Sequence, residues 1–216
     1  MIYVNSKNVF HLQTEKTSYV FRILSTGQAE GMYYGKRIRN NDNFGFLYDK
    51  HAAGYSNSTP YTQNDTTLSL DHIALEYSTY GKGDYRLPAM QLLSHDDVFT
   101  TDFIFKNASV TKVKPELKGL PSSYGESDTL TVVFEDGVLG AELHLIYTVF
   151  EECNVITRSA RLINKSGNDI KIRNMMSMQL ELQRGDYVFL SFDGAWARER
   201  YKNEHELSTG VFEIGS

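Results

Sequence analysis

One stretch near the C-terminus, Gly194-Ala-Trp-Ala-Arg-Glu-Arg200, places the only tryptophan of the sequence beside two arginines and a glutamate. It follows an alternating run from Tyr187 to Phe192, so these side chains are predicted to lie at the end of a β-strand. An indole ring can stack on the apolar face of a sugar ring, while guanidinium and carboxylate groups bond the sugar hydroxyls. Alternatively, Trp196 is a core residue and the charged residues after it form a solvated strand end.

A second candidate is the polar segment 40–65, which is dominated by Asn, Asp, Gly, Ser, Thr and Pro and is punctuated by Tyr48, Tyr55 and Tyr61. Loops longer than about 15 residues in a compact domain tend to be functional or disordered. The spaced tyrosines favour an ordered loop that packs against or binds something.

A third candidate is the turn Tyr80-Gly-Lys-Gly-Asp-Tyr-Arg-Leu-Pro88, in which two glycines permit a tight bend. Asp84 and Arg86 stand two residues apart, so alternation places both on the same side of an extended segment. Two interpretations are open: an ion pair that pins the turn, or a pair that contacts a ligand.

Other chemistry finds little support in the sequence. None of the six histidines is spaced from another histidine or cysteine as zinc ligands are, and the sequence has no phosphate-binding glycine loop and no nucleophile motif. We therefore predict no metal and no cofactor. A net charge of −5 without a basic run argues against binding of nucleic acid.

The single cysteine, Cys153, lies in an apolar-rich neighbourhood and is predicted to be structural, in a reducing compartment. The N-terminal residues do not resemble a signal peptide, and no stretch is long and apolar enough for a membrane span. We expect a cytoplasmic protein.

The elements that must position these residues are strands. Residues 128–135 and 141–150 are predicted to pair through Asp136-Gly137, and residues 154–164 and 170–182 continue the pattern, the last as one long half-buried strand. Residues 98–105 and 108–113 are predicted as two further strands. No long segment shows a 3.6-residue period, so helix content should be low. The sequence predicts an all-β fold, a large two-sheet antiparallel sandwich that forms a single domain over residues 1–216.

Several short motifs then occur in a fixed order along the chain. They are Thr17-Ser-Tyr19 with Gly27, Tyr33-Tyr-Gly-Lys36, Ser69-Leu-Asp71 with Glu76-Tyr77, Gly83-Asp-Tyr-Arg-Leu-Pro88, Gly119-Leu-Pro-Ser-Ser-Tyr124, Tyr147-Thr-Val-Phe150, Asn154-Val-Ile-Thr-Arg-Ser-Ala160, Asn164 and Gly194-Ala-Trp-Ala-Arg-Glu-Arg200. As a set they resemble the N-terminal β domain of the family 36 glycoside hydrolases, the bacterial α-galactosidases that act on raffinose and melibiose. The resemblance covers nearly the whole chain.

This resemblance implies a β-supersandwich of the galactose-mutarotase type, followed in the parent enzymes by a (β/α)8 barrel and a C-terminal β domain. It also implies a retaining mechanism with two carboxylates about 5 Å apart. In the family both catalytic aspartates come from the barrel, so no catalytic residue is assigned here. The chain alone is expected to be inactive.

The resemblance further implies a tetramer in which loops of this domain close the active-site pocket, including that of a neighbouring subunit. It places Asp49 as a residue that bonds galactose hydroxyls and Trp196 as an aromatic wall of the pocket. Asp49 fits a turn-capping role equally well. An arginine expected near the end of the loop is replaced by Thr66 or Thr67.

Two other classes stay open at this point. A free-standing carbohydrate-binding module would bind galactosides without any partner domain. A structural interaction domain would use its exposed strand edges to pair with other subunits.

Overall fold

The computed structural model describes residues 1–47, 58–119, 121, 123–182 and 185–215. The chain forms two compact units, Met1–Glu181 and Leu182–Ser216. Its strands are β1 Ile2–Val4, β2 Val9–Gln13, β3 Thr17–Ile23, β4 Ala29–Lys36, β5 Met90–Leu93, β6 Ile104–Thr111, β7 Asp128–Asp136, β8 Ala141–Phe150, β9 Val155–Asn164, β10 Lys171–Met175, β11 Val188–Ala195 and β12 Arg198–Glu206.

The first unit is built from two four-stranded antiparallel sheets, in the orders β1-β2-β3-β4 and β6-β7-β8-β9, with β5 and β10 paired in a smaller sheet. The second unit is the antiparallel hairpin β11–β12. Within the residues that the structure describes, the helical turns are two 3₁₀ segments, Gly45–Leu47 and Leu70–His72. The prediction of an all-β antiparallel fold is confirmed.

The two four-stranded sheets of the first unit share one apolar core. Phe10 of β2 and Phe21 of β3 stack with ring centroids 4.8 Å apart, and Phe21 meets Tyr147 of β8 at 5.2 Å. Leu143 and Leu145 of β8 are also buried in this cluster. Side chains of both inner faces thus interdigitate, as they do in a sandwich.

The β7–β8 hairpin forms where the sequence predicts it, because one aspartate organises the turn. The Asp136 carboxylate accepts hydrogen bonds from the backbone N–H groups of Val138 and Leu139 at 3.0 and 2.9 Å. Gly140 closes the turn with φ of 70°, in the left-handed region that glycine adopts readily. Residues 128–135 then pair along their length with β8, as predicted.

The predicted long strand over residues 170–182 is wrong beyond its first half. Strand β10 ends at Met175, and its register with β5 already shifts between Ile172 and Asn174. The strand pairing ends there: the Met176 N–H still donates to the Ala89 carbonyl at 2.8 Å, but the Met176 carbonyl accepts from the Tyr77 hydroxyl at 2.5 Å.

The two strands predicted over residues 98–113 are a single strand, β6, with a bulge between Phe105 and Asn107. The residues before β6 use their backbone differently. The N–H of Thr101 donates to the Tyr80 carbonyl, and that of Asp102 donates to the Asp136 carboxylate at 2.7 Å. Across the described ranges, no helix is long and apolar enough to cross a bilayer.

Candidate functional site

The tip of the β11–β12 hairpin carries the first candidate residue. Ala195 pairs with Arg198, so Trp196 and Ala197 form a two-residue turn, and the register shifts at Gly194 between the pairs of Asp193 and Ala195. Ala197 has φ of 60°. Non-glycine residues rarely adopt this left-handed region, which costs on the order of 1 kcal/mol and is often found at binding sites.

Gly194 is favoured by the close approach of the returning strand. A Cβ atom there would lie 3.3 Å from the Arg198 carbonyl oxygen and 3.3 Å from the Glu199 Cα. Because both of these atoms belong to the backbone, they have little freedom to move aside. The glycine that opens the Gly194–Arg200 motif therefore permits the tight turn that presents the indole.

Trp196 is 95% exposed, so the interpretation of this residue as part of the core is wrong. Phe192 and Tyr201 on the same hairpin are exposed to 64% and 60%. Arg198, Glu199 and Arg200 are also exposed. A free aromatic face beside charged hydrogen-bonding groups is the arrangement that binds a sugar ring, with apolar area buried on the face and hydroxyls bonded at its rim.

Asp49, the second predicted site residue, lies outside the described residues, as do Tyr48 and Tyr55. The described end of the same polar segment includes Thr66 and Thr67, where the resemblance implies an arginine in some relatives. The Thr67 hydroxyl donates to the Asp65 carboxylate at 2.6 Å, and the Thr67 N–H donates to it at 2.9 Å. This threonine therefore stabilises a turn.

A buried polar centre lies between the two sheets of the first unit. The Glu76 carboxylate accepts hydrogen bonds from the hydroxyls of Tyr19 and Tyr147, each at 2.7 Å, and is paired with Arg158 at 3.0 Å. The side chains of Glu76 and Arg158 are 2% and 8% exposed. We call these four residues the Glu76 centre. Burial raises the pKa of the Glu76 carboxyl, and the Arg158 charge and the two hydroxyl donors oppose that rise.

Arg158 also binds backbone carbonyls. It donates to the Gln179 oxygen at 2.6 Å and to the Glu76 oxygen at 2.5 Å, so the segment after β10 is fixed to the sandwich. Asn154, four residues earlier, accepts bonds at the β2–β3 turn from the hydroxyls of Thr14 and Thr17 at 2.6 and 3.1 Å. Both ends of the Asn154–Arg158 motif therefore join separate parts of the fold.

The Asp84–Arg86 pair pins its turn, in agreement with the first of its two interpretations. The Arg86 guanidinium donates to both carboxylate oxygens of Asp84 at 2.9 Å, and its Nη2 also donates to the carbonyls of Leu70 and Ile73 at 3.0 Å. This geometry occupies much of the donor capacity of the guanidinium.

Comparison with known proteins agrees with the motif set. The family model described as "Glycosyl hydrolase family 36 N-terminal domain" matches residues 27–216. The chain belongs to this family.

Its relatives in family 36 are α-galactosidases. The chain is 37% identical to the alpha-galactosidase AgaA of Geobacillus stearothermophilus over 94% of its own length, and 32% identical to the bifunctional alpha-galactosidase/sucrose kinase AgaSK of Mediterraneibacter gnavus over 100%. A crystal structure of the alpha-galactosidase from Lactobacillus brevis superimposes with a TM-score of 0.89 at 32% identity, over 96% of this chain and 28% of that one. The chain spans 28% of the length of AgaA and 23% of AgaSK.

Some of the family motifs thus contribute buried residues, and another contributes an exposed residue. Tyr19, Glu76, Tyr147 and Arg158 meet in the buried centre, although nothing in the spacing of their motifs indicates this contact. Trp196 alone among the predicted site residues is presented to solvent within the described structure.

Two simpler predictions concern metals and the thiol. The described part of the chain holds no cluster of three or more His, Cys, Asp or Glu side chains arranged to bind a metal ion. Cys153 is exposed, so its interpretation as a structural thiol in an apolar neighbourhood is wrong. It lies in the turn between β8 and β9, directly after Glu151 and Glu152 in the chain.

Proposed function

We propose that this chain is the non-catalytic N-terminal domain of an α-galactosidase, and that the hairpin tip with Trp196 forms part of the wall that receives the sugar. The observation that carries the second part is the exposure of Trp196 on a tight turn. Family membership supports the first part. Structures of the related AgaA have been solved in complex with raffinose and with stachyose, at 36% identity to this chain.

In this proposal the chemistry belongs to the parent enzyme. Two barrel aspartates act as nucleophile and general acid/base in a retaining mechanism, which requires carboxyl groups about 5 Å apart. The substrates are α-galactosides such as raffinose or melibiose. The N-terminal domain contributes binding energy and excludes water, and it has no hydrolytic activity of its own.

The polar segment 40–65, with Asp49, is proposed to close the pocket of a neighbouring subunit in a tetramer. Support for this role comes from the resemblance and from the polar, tyrosine-spaced composition of the segment. Asp49 would accept hydrogen bonds from galactose hydroxyls, since charged acceptors bond hydroxyl groups strongly.

Hydrolysis of raffinose by the isolated chain and by the gene product that carries it tests the proposal. We expect galactose release only from the gene product. A gene product without α-galactosidase activity would overturn the proposal. Calorimetric titration of raffinose into the isolated chain tests the alternative, because a self-sufficient carbohydrate-binding module would bind raffinose in the absence of any catalytic domain.

A further inference from the structure

His11 lies at the point where the polar segment 40–65 leaves the sandwich. Its ring is 1% exposed, with Nδ1 3.1 Å from Asn40 Oδ1 and Nε2 2.9 Å from Ser18 Oγ. Ser18 Oγ in turn accepts a hydrogen bond from the N–H of Ile38 at 3.0 Å. The same stretch is held from the other side by Gln13, which donates to the Ile38 carbonyl at 2.6 Å.

These contacts define one tautomer of the neutral ring. Asn40 Oδ1 can only accept, so His11 Nδ1 carries the hydrogen. Ser18 Oγ accepts from Ile38, and its own hydrogen is free to donate to the unprotonated Nε2. The chain His11, Ser18, Ile38 is then fully satisfied in a buried place, where an unpaired polar group would be costly.

The surroundings of His11 oppose a positive charge on the ring. Phe44 meets it edge-on at 5.3 Å and Tyr3 lies at 5.7 Å. The charges that act on it are two cations, the Arg37 guanidinium and the amino terminus. Val20 stands opposite on β3, and Lys7 and Asp42 line the groove beside the ring.

Protonation of the ring would have two local consequences. It would reverse the bond to Ser18 and deprive the Ser18 hydroxyl hydrogen of this acceptor. Burial lowers the pKa of His11 from its usual range, and Arg37 and the amino terminus lower it further, although the bond to Asn40 opposes them. A folded-state pKa below the unfolded value means that the neutral ring contributes stability above about pH 6.5, and that this stability is lost as pH falls through the folded pKa.

We propose that His11 is a positioning residue, which as the neutral Nδ1–H tautomer fixes Ile38 and Asn40 and so holds the first residues of the polar segment against the sandwich. The role in catalysis rests on the proposed function, in which this segment closes the sugar pocket. Protonation would leave the Nδ1–H bond to Asn40 in place and would cost the Ser18 hydroxyl hydrogen its acceptor, so it weakens the His11–Ser18 link of this contact.

Nitrogen-15 NMR of the histidine-labelled 216-residue chain tests the local part directly. We expect ring-nitrogen shifts of the Nδ1–H tautomer for His11 at pH 7.5, and a ring that is still mostly neutral at about pH 6.5, the usual pKa of a free imidazole. An Nε2–H tautomer, or a His11 ring that is already half protonated at about pH 6.5, would overturn the proposal. The spectrum of the unmodified chain gives this answer without any variant that has to fold.

Amide exchange at Ile38 gives the matched comparison. Removal of the ring bonds in His11→Phe should accelerate exchange at Ile38 about 3- to 10-fold at pH 7, the size of one lost neutral hydrogen bond. His95→Phe, at a half-exposed histidine, should leave Ile38 unchanged. If His11→Phe leaves the Ile38 exchange rate at its original value, the proposed contact does not hold this segment.

Kinetics on the gene product separate the positioning role from the proposed function. His11→Phe should raise the KM for raffinose several-fold with kcat unchanged, because it loosens a binding segment and leaves the reacting carboxylates in place. His11→Asn, which keeps an amide donor near the Nδ1 position, should restore part of the loss. Unchanged KM in an active enzyme would overturn the positioning role alone, whereas an inactive gene product would overturn the proposed function and leave the NMR result to decide on the contact.

Discussion

The Glu76 centre and the Trp196 turn both consist of residues from the family motifs, yet their environments are opposite. In the first, Arg158 and Glu76 are buried and every strong contact is made within the fold. In the second, the indole is almost wholly exposed on a turn whose backbone is held by Gly194 and Ala197. A motif therefore identifies a family without saying whether its residues are buried in the domain or presented to solvent, and here the burial of the side chains distinguishes the two.

Of the substitutions that test this comparison, one at Arg158 should have the largest effect on the free energy of unfolding. Arg158→Met leaves the Glu76 carboxylate buried without its counter-charge, so we expect a loss of about 3–5 kcal/mol in the free energy of unfolding. Urea denaturation of the isolated chain measures it. Arg198→Met, at an exposed position, is the matched control and should change stability by less than about 0.5 kcal/mol. Equal effects at the two arginines would remove the distinction drawn above.

Tyr147→Phe tests the same centre more gently. The ring stays in the core, but Glu76 loses one of its two hydroxyl donors at 2.7 Å. We expect a loss of about 1–3 kcal/mol in the free energy of unfolding. Tyr124→Phe provides the control, since this ring is 88% exposed. A Tyr147→Phe chain as stable as the control would mean that the hydroxyl contributes nothing to the centre.

Trp196→Ala should leave the stability of the chain within about 0.5 kcal/mol, because the indole buries almost no area in the domain. Thermal unfolding of the variant and of the unmodified chain measures this difference. A large loss would show that Trp196 packs in the folded domain, and the contrast with the Glu76 centre would fail.

A smaller contrast concerns pH and a second carboxylate. Lys106, Lys165 and His144 donate to Glu142 and lower its pKa to about 2, opposite in direction to the shift of Glu76. The Glu142 carboxylate therefore stabilises the folded chain above the pKa of an ordinary glutamate. This stabilisation is lost as pH falls through the pKa of Glu142 in the folded state. In Glu142→Gln the free energy of unfolding should fall less steeply with decreasing pH in this acid range. Glu206→Gln, at the end of β12, should leave the slope as it is in the unmodified chain. Parallel pH curves for Glu142→Gln and the unmodified chain would contradict this assignment.

The parts of the fold that could be predicted are those determined by local pattern. Strands β7 and β8 alternate clearly and are joined by Asp136-Gly137, so their pairing follows from neighbouring residues. The end of β10 could not be predicted, because Met176 bonds Tyr77 from a distant part of the chain. Strand ends of this kind depend on tertiary partners, which periodicity does not record.

In the candidate site, too, the features that follow from local sequence could be predicted and those that depend on distant residues could not. The position of Trp196 at the end of a strand follows from the alternation before it, but its exposure depends on what covers the hairpin. The pairing of Glu76 with Arg158 joins residues 82 positions apart and leaves no local signal. His11 was visible only as one of several scattered histidines, since the partners that define its tautomer lie on other strands.

The central claim is that Trp196 acts on the sugar while the Glu76 centre only builds the domain. The most direct test is the kcat/KM for raffinose of the gene product with Trp196→Ala, measured beside Trp196→Phe. We predict a loss on the order of 1–3 kcal/mol in transition-state stabilisation for the alanine variant, roughly 5- to 150-fold, with most of it restored by phenylalanine at unchanged stability. An unchanged kcat/KM in a folded Trp196→Ala enzyme would contradict the account.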